Sequence, residues 1–469
     1  MSKRGDLLHG LLIVLACAMT KPSRAAEKVT YDDHVRPILK ARCFTCHGDD
    51  EQNADLNLQS FASAVKGGSS GELAKAGRPN SSLLFQAVTH AEGVEAMPPN
   101  GDKLPDGEIE TIRQWIVGGL LESTGSKARE VASIAFKPLV AGKPDAPVMP
   151  GSLASIAVPP TNRPQPVTAL AASPWAPLIA VGGHGCVQLL HAGSGQRLGT
   201  LPFAEGVPFV LRFSRGGDVL LVAGGKPVRN GAAAIYDVRS GKRLGTYGDE
   251  NDVVLAADIS ADGRLVALGG PGKTVKVFHA KDGLPAYQLK KHTDWITAIE
   301  FSPDGKQLAT ADRAGGILLW DAPTGGIALA LNEHKAAITA MSWRSDGRLL
   351  ASASEDGSAI IWDMTDGFPA ATLTDIHAPK REQGQYGKVP KGVLSASWTA
   401  DGKLLTTGRD GVARAWDADG GKVSASPRLP SLPTRIVACD DPHRACIGDI
   451  TGTVHVFDLS SPTWAEQPR

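Results

Sequence analysis

The sequence contains few residues of several types, and each shortage excludes some classes of protein. Aromatic residues make up only 5% of the 469 residues, and six residues are cysteine. Basic and acidic residues are equal in number, 49 each, so the formal net charge is zero. There is no basic run, which argues against nucleic acid as a partner. Glycine, in contrast, is abundant with 53 residues, and this favours many turns over long packed helices.

Long apolar runs are also missing, so no transmembrane span is predicted after the first 25 residues. Residues 1–25 begin with Lys3 and Arg4, continue with LLHGLLIVLACAM and end in small residues. This order predicts a secretory signal peptide and therefore an exported, periplasmic protein. The alternatives are an uncleaved membrane anchor and cleavage before Cys17, which would then carry a lipid anchor facing the periplasm.

Two of the six cysteines lie in the stretch ARCFTCHGDD. Cys43 and Cys46 are separated by two residues, and His47 follows directly. C-x-x-C-H predicts covalent attachment of one haem c per chain, with each thiol forming a thioether and His47 offering a ring nitrogen to the iron. A thioredoxin-like redox pair and half of a zinc site are the alternatives. The first does not need the histidine, and the second needs two more ligands, although no second C-x-x-C is present.

Helices are predicted on both sides of this motif. One follows Thr30, a capping residue, and the other lies in LPDGEIETIRQWIVGGL, where apolar residues recur at helical spacing. Between them, EGVEAMPPNGDKLP contains Met97. We predict Met97 as the distal iron ligand, because a soft thioether suits low-spin haem and raises its reduction potential. His90 is the rival ligand.

Residues 30–122 resemble the planctomycete-type cytochrome c domain. The matching pieces occur in order as VRPILKARCFTCHG, DLNLQS, AGRPNSSLL, AMPP and EIETIRQWIVGG. The resemblance implies a class I-like c-type haem with Cys43 and Cys46 as attachment points. It also implies His47 as the proximal iron ligand and Met97 as the distal one.

Beyond a segment rich in proline and glycine, the chain repeats itself. ILLWDAPTG and AIIWDMTDG place Asp321 and Asp363 42 residues apart, and similar pieces recur on both sides. Each unit contains short apolar runs separated by turns such as SPDG and TADG, which predicts four strands a unit and a β-propeller. Seven units end at His191, Asp237, His279, Asp321, Asp363, Asp417 and Asp458.

These repeats resemble WD-repeat propellers, most closely over residues 334–363. The resemblance implies closure by a strand that the last blade borrows from before the first, for which residues 152–158 are the candidate. It also implies a hydrogen-bonded set that the preceding unit keeps only in part, with Ala314 in place of the aspartate. The implied set is His334, Ser352, Asp356 and Trp362, and the preceding unit keeps His292, Thr310 and Trp320.

Two features of the repeats leave alternatives open. The sixth unit is about twelve residues longer than the others, and the insertion around 376–392 is either a binding loop or a solvated insertion. Cys439 and Cys446 flank the turn-rich DDPHR, where a hairpin would give a disulfide or two buried thiols. The insertion contains the basic residues Lys380, Arg381, Lys388 and Lys391.

Together these features predict a multidomain chain, a small all-α c-type cytochrome followed by an all-β seven-bladed propeller. We predict an exported electron carrier with a single haem c, whose propeller docks a redox partner protein; no catalytic residues are assigned. The alternatives are a redox enzyme with a substrate site in the propeller and an assembly scaffold with a minor haem role. The predicted boundaries are 1–25 (signal peptide), 26–125 (cytochrome), 126–151 (linker), 152–462 (propeller) and 463–469 (tail).

Overall fold

The computed structural model describes residues 28–79, 82–91, 94–99, 101–127, 139, 142–151, 153, 165–378 and 391–467. The predicted signal peptide with Cys17, and the basic residues Lys380, Arg381 and Lys388, lie outside these ranges. The chain divides into two compact units, Met1–Gly77 with Ala87–Arg129, and Arg78–Gln86 with Glu130–Arg469. No helix in the described part is long and apolar enough to cross a membrane.

The helices between residues 28 and 127 are short. Thr30 caps the first, accepting a hydrogen bond from the Asp33 N–H as predicted, and the predicted apolar stripe of α4 is buried. Among the described residues α4 alone exceeds seven residues, and irregular chain separates the helices, so an all-α domain is not confirmed. The elements are a π-helical turn Tyr31–Val35, α1 Arg36–Arg42, a 3-10 turn Asn53–Asp55, α2 Phe61–Lys66, α3 Leu83–Val88 and α4 Asp106–Val117.

An aromatic cluster forms the core of the first unit. The ring of Tyr31 lies 5.7 Å from that of Phe61 and 5.6 Å from that of Trp115, measured between centroids. The Tyr31 N–H donates to the carbonyl of Leu121 at 2.7 Å, and Trp115 Nε1 donates to the same carbonyl at 2.9 Å. The cluster therefore joins Tyr31, which precedes the C-x-x-C-H motif in the sequence, to Trp115 and Leu121, which follow it.

The second unit is a propeller of seven four-stranded antiparallel sheets, each built from consecutive strands, as predicted. Every described third strand ends at or next to the aspartate or histidine that marks a repeat. Blades 1 to 4 comprise β1 Leu170–Ala172, β2 Leu178–Gly183, β3 Cys186–His191, β4 Arg197–Pro202, β5 Val207–Phe213, β6 Val219–Lys226, β7 Asn230–Asp237, β8 Arg243–Glu250, β9 Ala256–Ile259, β10 Leu265–Gly269, β11 Val275–His279, β12 Pro285–Leu289, β13 Ile296–Phe301, β14 Gln307–Asp312, β15 Ile317–Asp321 and β16 Ile327–Leu331. Blades 5 to 7 comprise β17 Ile338–Trp343, β18 Leu349–Ser354, β19 Ala359–Asp363, β20 Phe368–Leu373, β21 Val393–Trp398, β22 Leu404–Gly408, β23 Ala413–Trp416, β24 Lys422–Ala425, β25 Pro433–Ala438, β26 Arg444–Asp449, β27 Val454–Asp458 and β28 Ala465–Glu466.

The predicted hydrogen-bonded set of blade 5 is present. His334 Nδ1 lies 3.0 Å from Asp356 Oδ2 and its Nε2 lies 2.8 Å from Ser352 Oγ, which also accepts from Trp362 Nε1 at 2.8 Å. The set pairs buried polar groups that would otherwise cost stability. It ties the loop before the blade to its second and third strands.

Blade 4 contains the aspartate that the sequence comparison of units did not find. Asp312 Oδ2 lies 2.9 Å from His292 Nδ1, so a residue two positions before Ala314 supplies the carboxylate. Thr310 and Trp320 complete the set as predicted. The set of blade 4 is therefore complete.

Blade 6 has the same set, built on a histidine in the turn after β20 that the repeat pattern did not assign to a set. His377 is fully buried, with Nδ1 2.8 Å from Asp410 and Nε2 2.9 Å from Thr406 Oγ1. Trp416 Nε1 donates to the same hydroxyl at 2.8 Å. The insertion lies between His377 and Thr406 and shifts the histidine out of register with its equivalents in the other blades.

The last blade takes all four of its described strands from one stretch of chain. Its outer strand is β28, near the C-terminal end of the chain. The prediction that residues 152–158 supply this outer strand is therefore wrong for this blade. Residues 152 and 154–158 lie outside the described residues, and Leu153 packs against the core of blades 1 and 2 instead. His455 Nδ1 lies 2.6 Å from Glu466 and its Nε2 3.1 Å from Asp449, which fixes β28 to the blade.

Replacing Trp464 with alanine is expected to destabilise the propeller. The side chain is 1% exposed and its Nε1 donates to Ser424 Oγ at 2.8 Å, so it joins the chain before β28 to blade 6. Removing a buried tryptophan costs about 3–5 kcal/mol. Calorimetry of the propeller transition measures the loss. Trp295→Ala, at a side chain 41% exposed, is the matched control, and equal melting temperatures for the two variants would refute this role.

Part of the predicted linker is integrated into the propeller unit. Val148 is buried in the core of blades 1 and 2, and the Gly151 N–H donates to the carbonyl of Arg239 at 2.8 Å. The Lys143 ammonium lies 5.7 Å from the ring centroid of Trp175. A propeller produced by itself should therefore include these residues.

The two buried cysteines of blade 7 lie side by side. Cys439 follows β25 and Cys446 lies in β26, with their sulfur atoms 3.1 Å apart and not joined by a bond. The hairpin predicted from DDPHR is confirmed. The predicted disulfide between these thiols stays a prediction.

Candidate haem-attachment site

The C-x-x-C-H residues share one turn at the end of α1. The Cys43 N–H donates to the carbonyl of Leu39 at 2.7 Å and so ends the helix. The carbonyl of Cys43 then accepts from the N–H groups of Cys46, at 3.2 Å, and His47, at 2.9 Å. Both thiols and the imidazole are partly buried. The structure thus brings together the three residues that the sequence predicts for haem attachment.

The imidazole of His47 is oriented by the backbone. Its Nδ1 lies 3.0 Å from the carbonyl oxygen of Asn53, which can only accept, so Nδ1 carries the proton and Nε2 carries the lone pair. The Leu58 N–H donates to the His47 carbonyl at 2.8 Å and holds the backbone of the loop. A histidine whose second nitrogen donates to a carbonyl is held in the tautomer that binds a metal through the first.

Gly48 is required by a close backbone approach. A Cβ atom at this position would lie 2.4 Å from the carbonyl oxygen of Phe44 and 2.9 Å from Gln59 Nε2. No real side chain tolerates such a contact with backbone. The chain after the motif can therefore approach the Phe44 carbonyl this closely only if the residue directly after His47 is glycine.

Charged neighbours fix the helix before the motif. Arg42 Nη2 lies 3.2 Å from Glu108 Oε1 and ties α1 to the first turn of α4. Burial raises the pKa of the Cys43 thiol to about 11, and the nearby Cys46 and Glu108 add to the shift, while Arg42 opposes it. Cys43 is thus a neutral thiol near pH 7 rather than a reactive thiolate.

The two candidates for the distal ligand lie in a separate segment. Met97 is partly buried, and its N–H donates to the carbonyl of Ala87 near the end of α3 at 3.1 Å. His90 is exposed and has a left-handed backbone, with φ of 55°. The ring of His34 is engaged at the first helix, with Nδ1 3.1 Å from the Thr30 nitrogen.

The donor set at the motif fits a haem better than a zinc ion. Within the described residues, no three side chains of His, Cys, Asp or Glu converge on one point. Cys43 and Cys46 therefore lack the additional ligands that a tetrahedral zinc site needs. Two neighbouring thiols beside an imidazole with a free Nε2 are what covalent haem attachment needs.

Comparison with known families follows this division of the chain. Residues 43–101 match the family model of Planctomycete cytochrome C. Residues 283–321, 327–363 and 383–417 match the WD domain, G-beta repeat. The chain joins a cytochrome c-like segment to a WD-repeat propeller. Both resemblances predicted from the sequence are confirmed, and no curated protein matches the chain significantly.

The matched WD repeats are the units whose hydrogen-bonded sets are complete. Each matched range ends at an aspartate that marks the end of a repeat, Asp321, Asp363 or Asp417. These ranges include the third strands of blades 4, 5 and 6. In the described residues, the other blades have the same four strands but lack the WD set of histidine, hydroxyl, aspartate and tryptophan. This difference explains why they resemble the family less.

Proposed function

We propose that this protein is an exported, periplasmic c-type cytochrome that passes single electrons through one covalently bound haem. The orientation of His47 is the observation that carries the proposal. Its Nδ1 is engaged by the Asn53 carbonyl at 3.0 Å, which leaves Nε2 for the iron, within one turn of both thiols. The match to a cytochrome c family, whose members generally bind haem, supports the same function.

Each residue of the site has a distinct role in this proposal. Cys43 and Cys46 would hold the haem through thioethers, and His47 and Met97 would be its axial ligands. The bound haem supplies reversible one-electron chemistry. The Asn53 carbonyl would strengthen His47 as a donor by accepting its Nδ1–H. Glu108, paired with Arg42, would keep the end of α1 in place.

The propeller is proposed to dock the redox partner. WD-repeat propellers generally mediate protein interactions, and loops on a rigid scaffold commonly carry binding residues. The insertion in blade 6 adds basic residues that would attract an acidic partner. Of these, Lys391 already pairs with Asp375, with Nζ 2.5 Å from Oδ1, so the steering charge would come from Lys380, Arg381 and Lys388.

Neutralising the insertion is expected to slow electron transfer to or from the native partner. The variant replaces Lys380, Arg381 and Lys388 with glutamine, so His377 and Lys391 keep their structural contacts. Stopped-flow rates should fall at low salt and converge with the wild type at high salt, because screening removes steering, while the haem potential stays unchanged. Lys306→Gln, at a propeller side chain 80% exposed, is the control.

Equal rates for the triple variant and the wild type at every ionic strength would refute steering by this loop.

The electron-carrier function itself is tested separately, by whether the haem of the purified protein is reduced and reoxidised by a periplasmic partner without turnover of a small substrate. Turnover without a protein partner would instead support the redox-enzyme alternative.

A further inference from the structure

The central channel of the propeller contains charged side chains that electron transfer does not use. The inner strands of the seven blades line a cavity of about 120 Å³, and a second of about 170 Å³ shares Arg212 with it. Most lining residues are alanine, aliphatic or hydroxyl side chains. Against that background, five ionisable residues stand out. Arg435 lines the first cavity, Arg215, Asp258 and Glu300 line the second, and Arg212 lines both.

Three of these residues occupy one repeat position. Arg212, Asp258 and Glu300 are each the penultimate residue of an inner strand, in blades 2, 3 and 4. The same position in blades 5 and 6 is serine, and each serine Oγ accepts a backbone N–H of the next blade at 3.2 Å. Asp258 Oδ2 does the same for the Phe301 N–H at 2.7 Å. The hydrogen bond that Asp258 makes to the next blade therefore explains why a carboxylate is buried at this position.

A hydrogen bond between neighbouring blades does not explain the Oε2 atom of Glu300. Its side chain is only 8% exposed, yet Oε2 has no hydrogen-bond partner in the described residues. Arg212 Nη2 lies 3.9 Å from that oxygen, too far for a hydrogen bond. A buried oxygen of this kind normally has a hydrogen-bond partner, so one is expected in the channel beside it.

Arg435 is the second unexplained group. Its Nη1 donates to the carbonyl of Thr434 at 3.0 Å, and no carboxylate within the described part of the chain forms an ion pair with it. Burial lowers the pKa of Arg435, and repulsion from Arg212 lowers it further. Two guanidinium groups that repel each other in a confined space leave a positive region that an anion would relieve.

We propose that the channel binds a small oxyanion, a carboxylate or a phosphate, between Arg212 and Arg435. Guanidinium groups present paired N–H donors that match two oxygens of such an anion. The volume holds several waters or an anion of a few non-hydrogen atoms, but not a large substrate. Glu300 in its protonated form donates from Oε2 to an oxygen of the anion.

The proposal gives a definite pH dependence. Burial raises the pKa of Glu300 to about 7; Arg212 and Arg215 oppose the shift, Asp258 adds to it, and the Trp343 N–H opposes it. An anion favours the protonated carboxyl, because the ionised form repels it. Affinity should therefore rise as pH falls from 8 to 6 and level off below.

Calorimetric titration of the full-length protein with acetate and with phosphate, at constant ionic strength and with chloride as reference, tests the site. We expect millimolar or tighter binding of one of them. Arg435→Gln should weaken it about tenfold or more, because charge-assisted hydrogen bonds are lost. Arg264→Gln, at an exposed turn with 75% of its side chain accessible, should not change it. Preference for acetate or phosphate identifies the class of ligand.

Two further variants keep the test decisive. Without anion, Arg435→Gln should be at least as stable as the wild type, because it removes the repulsion from Arg212. If Arg435→Gln fails to fold, Arg212→Gln takes its place and should weaken anion binding in the same way. Glu300→Gln should bind well and lose the pH dependence. Absence of binding for both anions, or affinity unchanged in the arginine variants, overturns the proposal.

Discussion

One haem, and only one, is expected on each mature chain, and replacing both Cys43 and Cys46 with serine should abolish its attachment. The expectation follows from the single C-x-x-C-H and from the turn that places both thiols beside the imidazole of His47. Thioethers survive denaturation, whereas a haem held only by its iron ligands dissociates. Mass spectrometry of denatured protein, matured together with its haem ligase, therefore reports the effect directly.

The matched control for this experiment is a second pair of thiols in the same chain. Cys439→Ala with Cys446→Ala removes two buried cysteines of blade 7 and should leave the haem adduct intact. Single variants at Cys43 or Cys46 should keep one thioether and give partial attachment. An adduct that is lost when the wild type is denatured would contradict covalent attachment.

Met97→Ala should leave the haem attached but lower its reduction potential and open the iron to carbon monoxide and cyanide. The thioether ligand stabilises reduced iron, so its loss should move the potential down by about 0.1 V or more, within the ~0.8 V that axial ligands span. Redox titration and visible spectra with added ligands measure both effects. Partial burial of Met97 supports this role.

His90→Ala is the control that separates the two candidates for the distal position. His90 is exposed, so its replacement should leave the spectrum and the potential unchanged. A changed spectrum in His90→Ala together with an unchanged one in Met97→Ala would assign the distal position to the histidine. Changes in neither variant would mean that the iron takes its sixth ligand from another source.

The repeat pattern was enough to predict the propeller, because each blade is local in sequence. Strand ends recur at a spacing near 42 residues, and turns with glycine mark each hairpin. The hydrogen-bonded set of blade 5 was predictable for the same reason. Asp312 was missed because the carboxylate reaches His292 from two positions earlier than in blade 5, a shift that depends on the conformation of the turn.

His377 was missed because an insertion breaks the spacing on which the prediction relied. Thr406, Asp410 and Trp416 have the same spacing as Ser352, Asp356 and Trp362, so a search for a histidine on the far side of the insertion would have found it. Arg212, Asp258 and Glu300 could similarly be found by aligning the inner strands. Their convergence in one channel, however, depends on closure of the ring.

The all-α expectation is not confirmed and the closing-strand prediction is wrong, and both outcomes have a different reason. The first region has regular helices only where apolar residues recur over several turns, as in α4, and the turn-rich sequence between them folds into irregular chain. The closing strand was inferred from the family rather than from residues. Trp464 gives a local reason for the alternative, since its burial anchors the C-terminal end beside blade 6.

Because every described blade is made from one continuous stretch of chain, the ring has a seam where its first and last blades meet. At the described seam, the Val167 N–H donates to the Asp449 carbonyl at 3.0 Å, and the Thr434 hydroxyl donates to the Val167 carbonyl at 2.7 Å. No strand crosses that boundary in the described residues. A chain that is synthesised amino end first can thus form its blades in order, but it can close the ring only after the strands of blade 7 have been made.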